Sequence, residues 1–535
     1  MTGQTRYRFW AGGLAALALL ATACGSSDGG ETASTVDANV KQGVEAALSG
    51  SSTTVVGTTT TLKEPASIAE WEQLWANERT AMVKKIKDNN WGVSADGKTV
   101  NGPEGFKVDL SKCIAGWTNT EGLTDTEIKI GNVSPLSGTA ADFGNLAKTE
   151  TVWFKYLSDK GAFKDSTGKT RKVNLILKDD AYDATKTIPL VDELLTSDKV
   201  FALISTGTPA TLKLYDKVNQ YCVPHPMVVS GSPAWGDPVN HPWTTGGLIS
   251  YSTEATIWGA YIDSHLNEVI NPATGKVKIA ALVAASDFGA AYEGAMKSVI
   301  ANSKNKDKIE LVTERLDIAS PTITDAMTNL FAKDPTVFIT MTGAGHCPQI
   351  INEIAQKSMG DKLKVKFMSS VCKSSAYVGK DKVGGDGMQS NGFLIVGGGQ
   401  KDINVAAGQG DPFSIWAVKF LGDNGLDSKS SSQLGNGFYP AWVMSQSLQC
   451  GGDLPGGLNR GNFITCLRAF EGSSPVHLKG IKINMNGNKD AYLLEGSDLS
   501  KYDAKNQTWV VQGDIIELSG KTGNCTWNVS AMACG

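Results

Sequence analysis

Nine cysteines, five histidines and one G-x-x-x-x-G-K-T string are the residues of this chain whose types and spacing could do chemistry. The histidines (His225, His241, His265, His346, His477) are scattered and no C-x-x-C occurs, so no metal-ligand spacing is present and no metal site is expected. No G-x-S-x-G elbow marks a nucleophile, and no histidine has a local motif that would make it a base. Asp179, Asp180 and Asp287 could meet in a cleft as acid and base, but carboxylates at strand ends more often cap turns or pair with lysine. The string Gly92–Thr99 has P-loop spacing. A phosphate cradle needs a buried strand before it and a helix after it. Here the polar run 87–90 precedes it and Asn101-Gly102-Pro103 follows, so the match is read as chance. These residues predict neither an enzyme nor a bound cofactor.

Cys24 is different. Arg6 and Arg8 precede an apolar run of about 14 residues that closes at Leu19-Leu20-Ala21-Thr22-Ala23-Cys24. The run is shorter than the roughly 20 residues that span a bilayer. A cysteine at the cut of a secretory signal marks a bacterial lipoprotein, although Ala21 stands where leucine is preferred. The expectation is a signal peptide over 1–23, lipid on Cys24, and a body held on the outer face of the bacterial cell membrane. That compartment permits disulfides. Eight cysteines then remain. Cys525 with Cys534 and Cys450 with Cys466 are close in sequence. Cys347 and Cys372 each follow a strand-like run, and Cys113 is left with Cys222.

The elements that position these residues can be outlined from pattern. The 535 residues imply two or more domains, and 41% hydrophobic with 19% charged residues is ordinary for a globular core. A net charge of −4 without a basic patch argues against nucleic acid as a partner. Residues 24–64, rich in serine and threonine, read as a disordered linker; about 40 flexible residues would give a reach of roughly 35 Å. An N-terminal extension over 65–126 opens with a helix. Ser67 and Glu70 form its capping box, and Ile68, Trp71, Trp75, Val83 and Ile86 recur at helical spacing, the tryptophans reading as packing. From residue 127, apolar runs at 128–134, 172–178, 201–205, 226–230, 277–284, 308–313, 336–341, 365–368 and 392–396 alternate with amphipathic segments. Such a rhythm predicts an α/β fold with two doubly wound parallel-sheet lobes.

The order of motifs carries a resemblance. Ile128–Gly138, Asp142-Phe143-Gly144, Lys178–Asp183, Ile204–Thr208, Val228–Ser232 and Lys278–Gly289 follow one another as in the branched-chain amino-acid type of ABC-transporter substrate-binding protein, a type I periplasmic binding fold. The resemblance implies two lobes joined by a three-crossing hinge. Lobe 1 would comprise 127–249 and 374–470, and lobe 2 would comprise 250–373 and 471–535.

It further implies a ligand in the cleft, beyond the carboxyl ends of the strands. Ser137, Ser205, Thr206, Gly207, Thr208, Ser230, Gly231 and Ser232 would meet its polar head, where helix N-termini favour anionic oxygen. Phe143, Tyr251 and Phe288 would pack on it, and Asp287, Thr342, Gly343 and His346 would complete the site. Amino-acid binders of the family place an acid after the strand equivalent to 336–341, to pair with the ligand's ammonium. Thr342–Gln349 contains none. Either Asp287 or another acid substitutes, or the ligand is an amide, a carboxylate or another small metabolite. The implied partners are the ligand and the permease subunits of an importer, with the protein acting as a monomer. An extracytoplasmic sensor with the same fold is the alternative.

Overall fold

The computed structural model describes residues 36–49, 64–528 and 533–534. Cys24 and the signal segment lie outside them. The first described element is a helix, α1 (Ala38–Leu48), inside the span expected to be disordered linker. That expectation is corrected here. Asp37 caps α1, accepting the N–H groups of Asn39 and Val40, and Val40 and Val44 are buried in the lobe 2 core with Trp258 and Leu518. Two valines one helical turn apart supplied the apolar stripe that the serine-rich composition concealed.

Helix α2 (Ile68–Asp88) begins at Ser67, whose side chain accepts Glu70 N–H at 3.2 Å, while Glu70 reaches back to Ala66 N–H at 2.9 Å. The expected capping box forms, displaced by one residue on its return bond. Strands β1 (Gly92–Val93), β2 (Thr99–Asn101) and β3 (Lys107–Asp109) then make a small antiparallel sheet. The P-loop-like string lies in the β1–β2 hairpin and is followed by a single 3-10 turn, Pro103–Gly105, rather than an α-helix.

Lobe 1 is built on β4 (Glu127–Ser134), β5 (Phe163–Lys164), β6 (Thr170–Asp179) and β7 (Ala202–Ser205), in the order β5-β6-β4-β7. The β6-β4-β7 part is parallel, with Ile128 opposite Val173 and Ile130 opposite Ala202. A parallel bridge from Thr206 to Val229 continues it to β8 (His225–Val228) and β9 (Thr244–Gly246). Helices α3 (Asn145–Asp159), α4 (Ala184–Thr196) and α5 (Thr208–Gln220) connect these strands. They fall where the amphipathic segments predicted them.

Lobe 2 starts with α6 (Tyr251–Ser264) and the short α7 (Leu266–Val269). Its sheet contains β10 (Val277–Ala284), β11 (Ile309–Leu316), β12 (Val337–Met341), β13 (Val365–Met368) and β14 (Leu394–Val396), in parallel order β11-β10-β12-β13-β14. Helices α8 (Asp287–Ala301), α9 (Thr324–Phe331) and α10 (His346–Gln356), followed by the short α11 (Ser375–Val378) and α12 (Lys380–Val383), cover it. The expected crossing at 373–374 is thus misplaced. The chain stays in lobe 2 through Val396 and crosses at Gly397–Gln400.

A helical block returns to lobe 1: α13 (Ile403–Gly408), α14 (Pro412–Asp423), α15 (Gln433–Asn436), α16 (Phe438–Asp453) and α17 (Arg460–Arg468). Its core is aromatic. Trp75 of α2 lies 6.1 Å from Trp153 of α3 and 6.2 Å from Trp442 of α16, so the extension packs on lobe 1. Arg460 and Arg468 of α17 are fully buried and donate to lobe 1 carbonyls, Val200 O at 2.7 Å and Thr244 O at 2.8 Å.

The hairpin β15 (Glu471–Gly472) and β16 (Ile483–Asn484) stays with this block, Ile483 and Phe470 sharing its core. Only β17 (Leu499–Asp503) and β18 (Thr508–Val511) join lobe 2, pairing antiparallel beside β14. The chain then leaves lobe 2 again. β19 (Trp527–Asn528) and β20 (Ala533–Cys534) sit against lobe 1, where Trp527 N–H donates to Asp237 at 3.1 Å and Cys525 N–H to Gly236 O at 2.8 Å. Assigning all of 471–535 to lobe 2 is therefore corrected: a C-terminal strap makes a further connection. The four bridges are Cys113–Cys222, Cys347–Cys372, Cys450–Cys466 and Cys525–Cys534; spacing pointed to the last two, the preceding strands to the second, and the first is the pair left over.

Candidate functional site

Between the lobes, at the carboxyl ends of β7 and β12, lies a cleft that is partly open to solvent. Its enclosed volume is only about 70 Å³, so the space is a slot between close walls. Phe143, Leu146, Tyr182 and Val229 form the lobe 1 wall, and Tyr251, Phe288, Ile318 and Val371 the lobe 2 wall. Phe143 also reaches across the mouth to Tyr377 of lobe 2, ring centroids 6.1 Å apart.

Six of the expected residues meet here: Phe143, Thr206, Gly207, Tyr251, Phe288 and Gly343. Gly207 is required by geometry. Its φ is +98°, and a Cβ would sit 2.6 Å from the Tyr182 ring. Gly207→Val is expected to destabilise the protein by more than about 1 kcal/mol, from the positive φ alone, and to displace Tyr182 from the wall. Urea unfolding of the variant checks this; an unchanged midpoint would refute the steric argument.

Other expected residues stand behind the wall. Thr208 and Ser230 share a hydroxyl bond of 2.7 Å and hold the Tyr251 hydroxyl, while Gly231 O accepts Tyr251 N–H at 2.7 Å. They orient the ring and do not line the slot. Ser205 is fully buried and bonds Thr211 and His225 Nε2, each at 2.8 Å. This serine–histidine pair has no catalytic geometry. His225 Nδ1 has no partner to orient it, burial lowers its pKa to about 3, and neither residue reaches the cleft. Ser232 caps the turn Pro233–Gly236, and Ser137 is an exposed loop residue bonded through its N–H to Asp179. Thr342 and His346 bond one another at 3.0 Å within lobe 2, away from the lining. Asp287 opens α8 next to Phe288 but is not on the wall. In this structure these residues support the walls or form turns and do not line the slot.

Sequence reading missed Tyr182, Lys373, Gln400, Gln433 and Asn436, all of which line the slot. Tyr182 had a signal, since it lies in the quoted run Lys178–Asp183. Ala181 and Tyr182 both adopt positive φ, 51° and 64°, which turns the tyrosine inward. Gln433 and Asn436 come from α15, in a helical block that no motif pointed to.

Two buried carboxyls back the site. Glu254 accepts Tyr292 Oη at 2.7 Å, Ser370 Oγ at 2.6 Å and Ser370 N–H at 2.9 Å; burial raises its pKa to about 7. Glu150, also raised to about 7 by burial, accepts Asn132 Nδ2 at 2.7 Å. Asn132 Oδ1 accepts Ser134 Oγ at 2.5 Å, and Ser134 lies 3.0 Å from Thr206 Oγ1. A hydrogen-bond chain thus runs from Glu150 to a residue of the cleft.

Residues 127–390 match the family model described as periplasmic binding protein. A search of the curated proteins finds no match. Among solved structures, a branched-chain amino acid ABC transporter protein from Thermus thermophilus with bound valine is 15% identical, with a TM-score of 0.59 over 73% of this chain and 97% of that one. A solute binding protein of an ABC transporter from Rhodopseudomonas palustris BisB5, in complex with 3,4-dihydroxy benzoic acid, is 17% identical, with a TM-score of 0.57 over 73% and 97%. A fatty acid ABC transporter substrate-binding protein from Thermomonospora curvata is 16% identical, with a TM-score of 0.57 over 78% and 96%. At these identities the likeness is one of fold. Residues 127–390 of this chain thus match the periplasmic binding protein family, and the chain shares the type I two-lobe α/β fold of those solved structures.

Proposed function

We propose that this chain is the extracytoplasmic solute-binding protein of an ABC importer, anchored by lipid on Cys24, and that it carries a small molecule in the cleft to a membrane permease. It is a binder and not an enzyme. The observation that carries the reading is the slot itself: two aromatic walls from separate lobes close on one space, and loop backbone and hydroxyl groups end there. A ligand touching both walls gains its full set of contacts only when the lobes are shut, so binding favours the closed form. The permease would read that closed surface.

The test is a thermal-shift screen of the full chain, purified with its disulfides formed, against amino acids, amides and carboxylic acids. A ligand at a hundred times its Kd adds about 2.7 kcal/mol of stability, so a hit raises Tm and a Tyr251→Ala variant abolishes the shift. Shifts that persist in that variant would place binding elsewhere. For the anchor, wild type should incorporate radiolabelled palmitate and pellet with membranes, and Cys24→Ala should do neither. Membrane retention of the unlabelled variant would refute it.

A further inference from the structure

Resting on the solute-binding reading, we infer that the cleft takes a small molecule with a slender apolar or aromatic body and a carboxylate or amide oxygen, and that it rejects α-amino acids for want of a partner for their ammonium. Among the described residues, no aspartate, glutamate or histidine lines the slot. Its one ionised side chain is Lys373, and that charge is already engaged. The Nζ donates to Gln400 O at 2.8 Å and Gly397 O at 3.0 Å, and lies 3.8 Å from the Asp498 carboxylate.

The carboxyls nearest the walls are committed to the protein. Asp180 accepts Thr187 Oγ1 at 2.7 Å and Tyr182 N–H at 2.9 Å. Glu254 is filled by Ser370 and Tyr292 from behind the lobe 2 wall. Asp142 accepts Asn145 Nδ2 at 3.2 Å through Oδ1, and although its Oδ2 is buried without a hydrogen-bond partner, neither Asp142 nor Asp287 lines the slot. An ammonium entering this slot would lose its water without gaining an anion, a large penalty in a low-dielectric site.

An oxygen acceptor meets the opposite situation. Helix α5 opens at Thr208, directly after the lining residues Thr206 and Gly207, whose N–H groups donate to Val133 O and Val229 O; Pro209 has no N–H, so the first turn offers those of Thr208 and Ala210. The first-turn N–H groups of a helix lack intrahelical acceptors, and its dipole favours negative charge there. At the hinge side the amides of Gln400, Gln433 and Asn436 line the slot, each able to donate to a second oxygen. Between these polar ends Tyr251 and Phe288 stand edge to face, centroids 5.4 Å apart, opposite Phe143 and Tyr182. Narrow spacing and aromatic walls fit a flat ring or a slim branched chain.

The experiment is isothermal titration of the full chain with pairs that differ only by the amine: 3-phenylpropanoate against phenylalanine, 4-methylpentanoate against leucine, with 3-phenylpropanamide as the neutral arm. The expected result is binding of at least one amine-free member, with its amino acid weaker by on the order of a hundredfold. Equal or tighter binding of leucine or phenylalanine overturns the inference and leaves the solute-binding reading standing. Val371→Asp adds a carboxylate to the lobe 2 wall and should reverse the preference; Ile318→Asp serves if that variant melts early. If no member of any pair binds, the inference falls. If native mass spectrometry then finds no small molecule carried from cells either, the solute-binding reading falls with it.

Discussion

Replacing Cys113 and Cys222 together by serine is expected to cost about 4–5 kcal/mol of stability. The bridge spans 109 residues, and closing a loop of that length removes about that much chain entropy from the unfolded state. It also ties the end of the extension to lobe 1. Beside it Trp117 donates to Cys222 O at 3.0 Å and packs 6.4 Å from Trp243. The extension should nonetheless stay docked, because Trp71 and Trp75 remain buried at its other end. The double variant should therefore lower the urea midpoint, with tryptophan fluorescence at native wavelength in buffer. A loss below about 1 kcal/mol would mean that the unfolded chain is already compact across this loop. By contrast, the Cys525–Cys534 bridge encloses only 9 residues and contributes less by the same entropy. Its role is to hold the strap hairpin whose Trp527 caps Asp237.

The second large effect concerns Glu150. Its carboxyl, pushed from 4.5 to about 7, faces no counter-charge and has Asn132 as its hydrogen-bond donor. Between pH 4.5 and about 7 the native state keeps a proton that the unfolded chain has released. Stability therefore falls as pH rises through that window, by about 1.4 kcal/mol per unit, and levels off above it. Glu150→Gln does not titrate. The stability of wild type minus that of the variant should thus drop by about 3 kcal/mol between pH 4.5 and pH 8. Buried His225 and His477, whose pKa values fall to about 3, oppose this trend in both proteins and cancel in the difference. Parallel pH profiles for the two proteins would show that Glu150 is ionised throughout. The hydroxyl chain through Ser134 to Thr206 makes the same titration felt in the cleft, so ligand affinity in wild type should acquire a pH dependence near 7 that the glutamine variant lacks.

Much of the framework was legible because it is local. Continuous apolar runs such as 277–284 can be buried on both faces only in a covered parallel sheet, and they became β10 and its neighbours. Ser67 and Glu70 announced the start of α2 because capping uses atoms three residues apart. Close spacing reported Cys450–Cys466 and Cys525–Cys534. Tyr251, Phe288 and the 206–207 loop were reachable through the order of motifs. Periodicity, however, cannot say which sheet a strand joins. β14 reads the same whether it ends lobe 2 or begins lobe 1, and the crossing was placed 23 residues too early for that reason (373 against 396). Helix α1 was lost because composition averages over a span while burial depends on Val40 and Val44 alone.

Taken by itself, the chain determined its class, the apolar strands of its parallel sheets, the two bridges between cysteines close in sequence and the absence of an acid over Thr342–Gln349. Each of these depends on residue type and short-range spacing. Only the tertiary structure decided which polar residues face the cleft. A serine or threonine looks the same in sequence whether its hydroxyl meets a ligand or, as with Thr208 and Ser230, a neighbouring side chain. Nor could sequence show that Lys373 is already engaged by Gly397, Gln400 and Asp498, or that α15 delivers two amides to the slot. Those facts depend on groups brought together from distant parts of the chain, whose positions are set by packing.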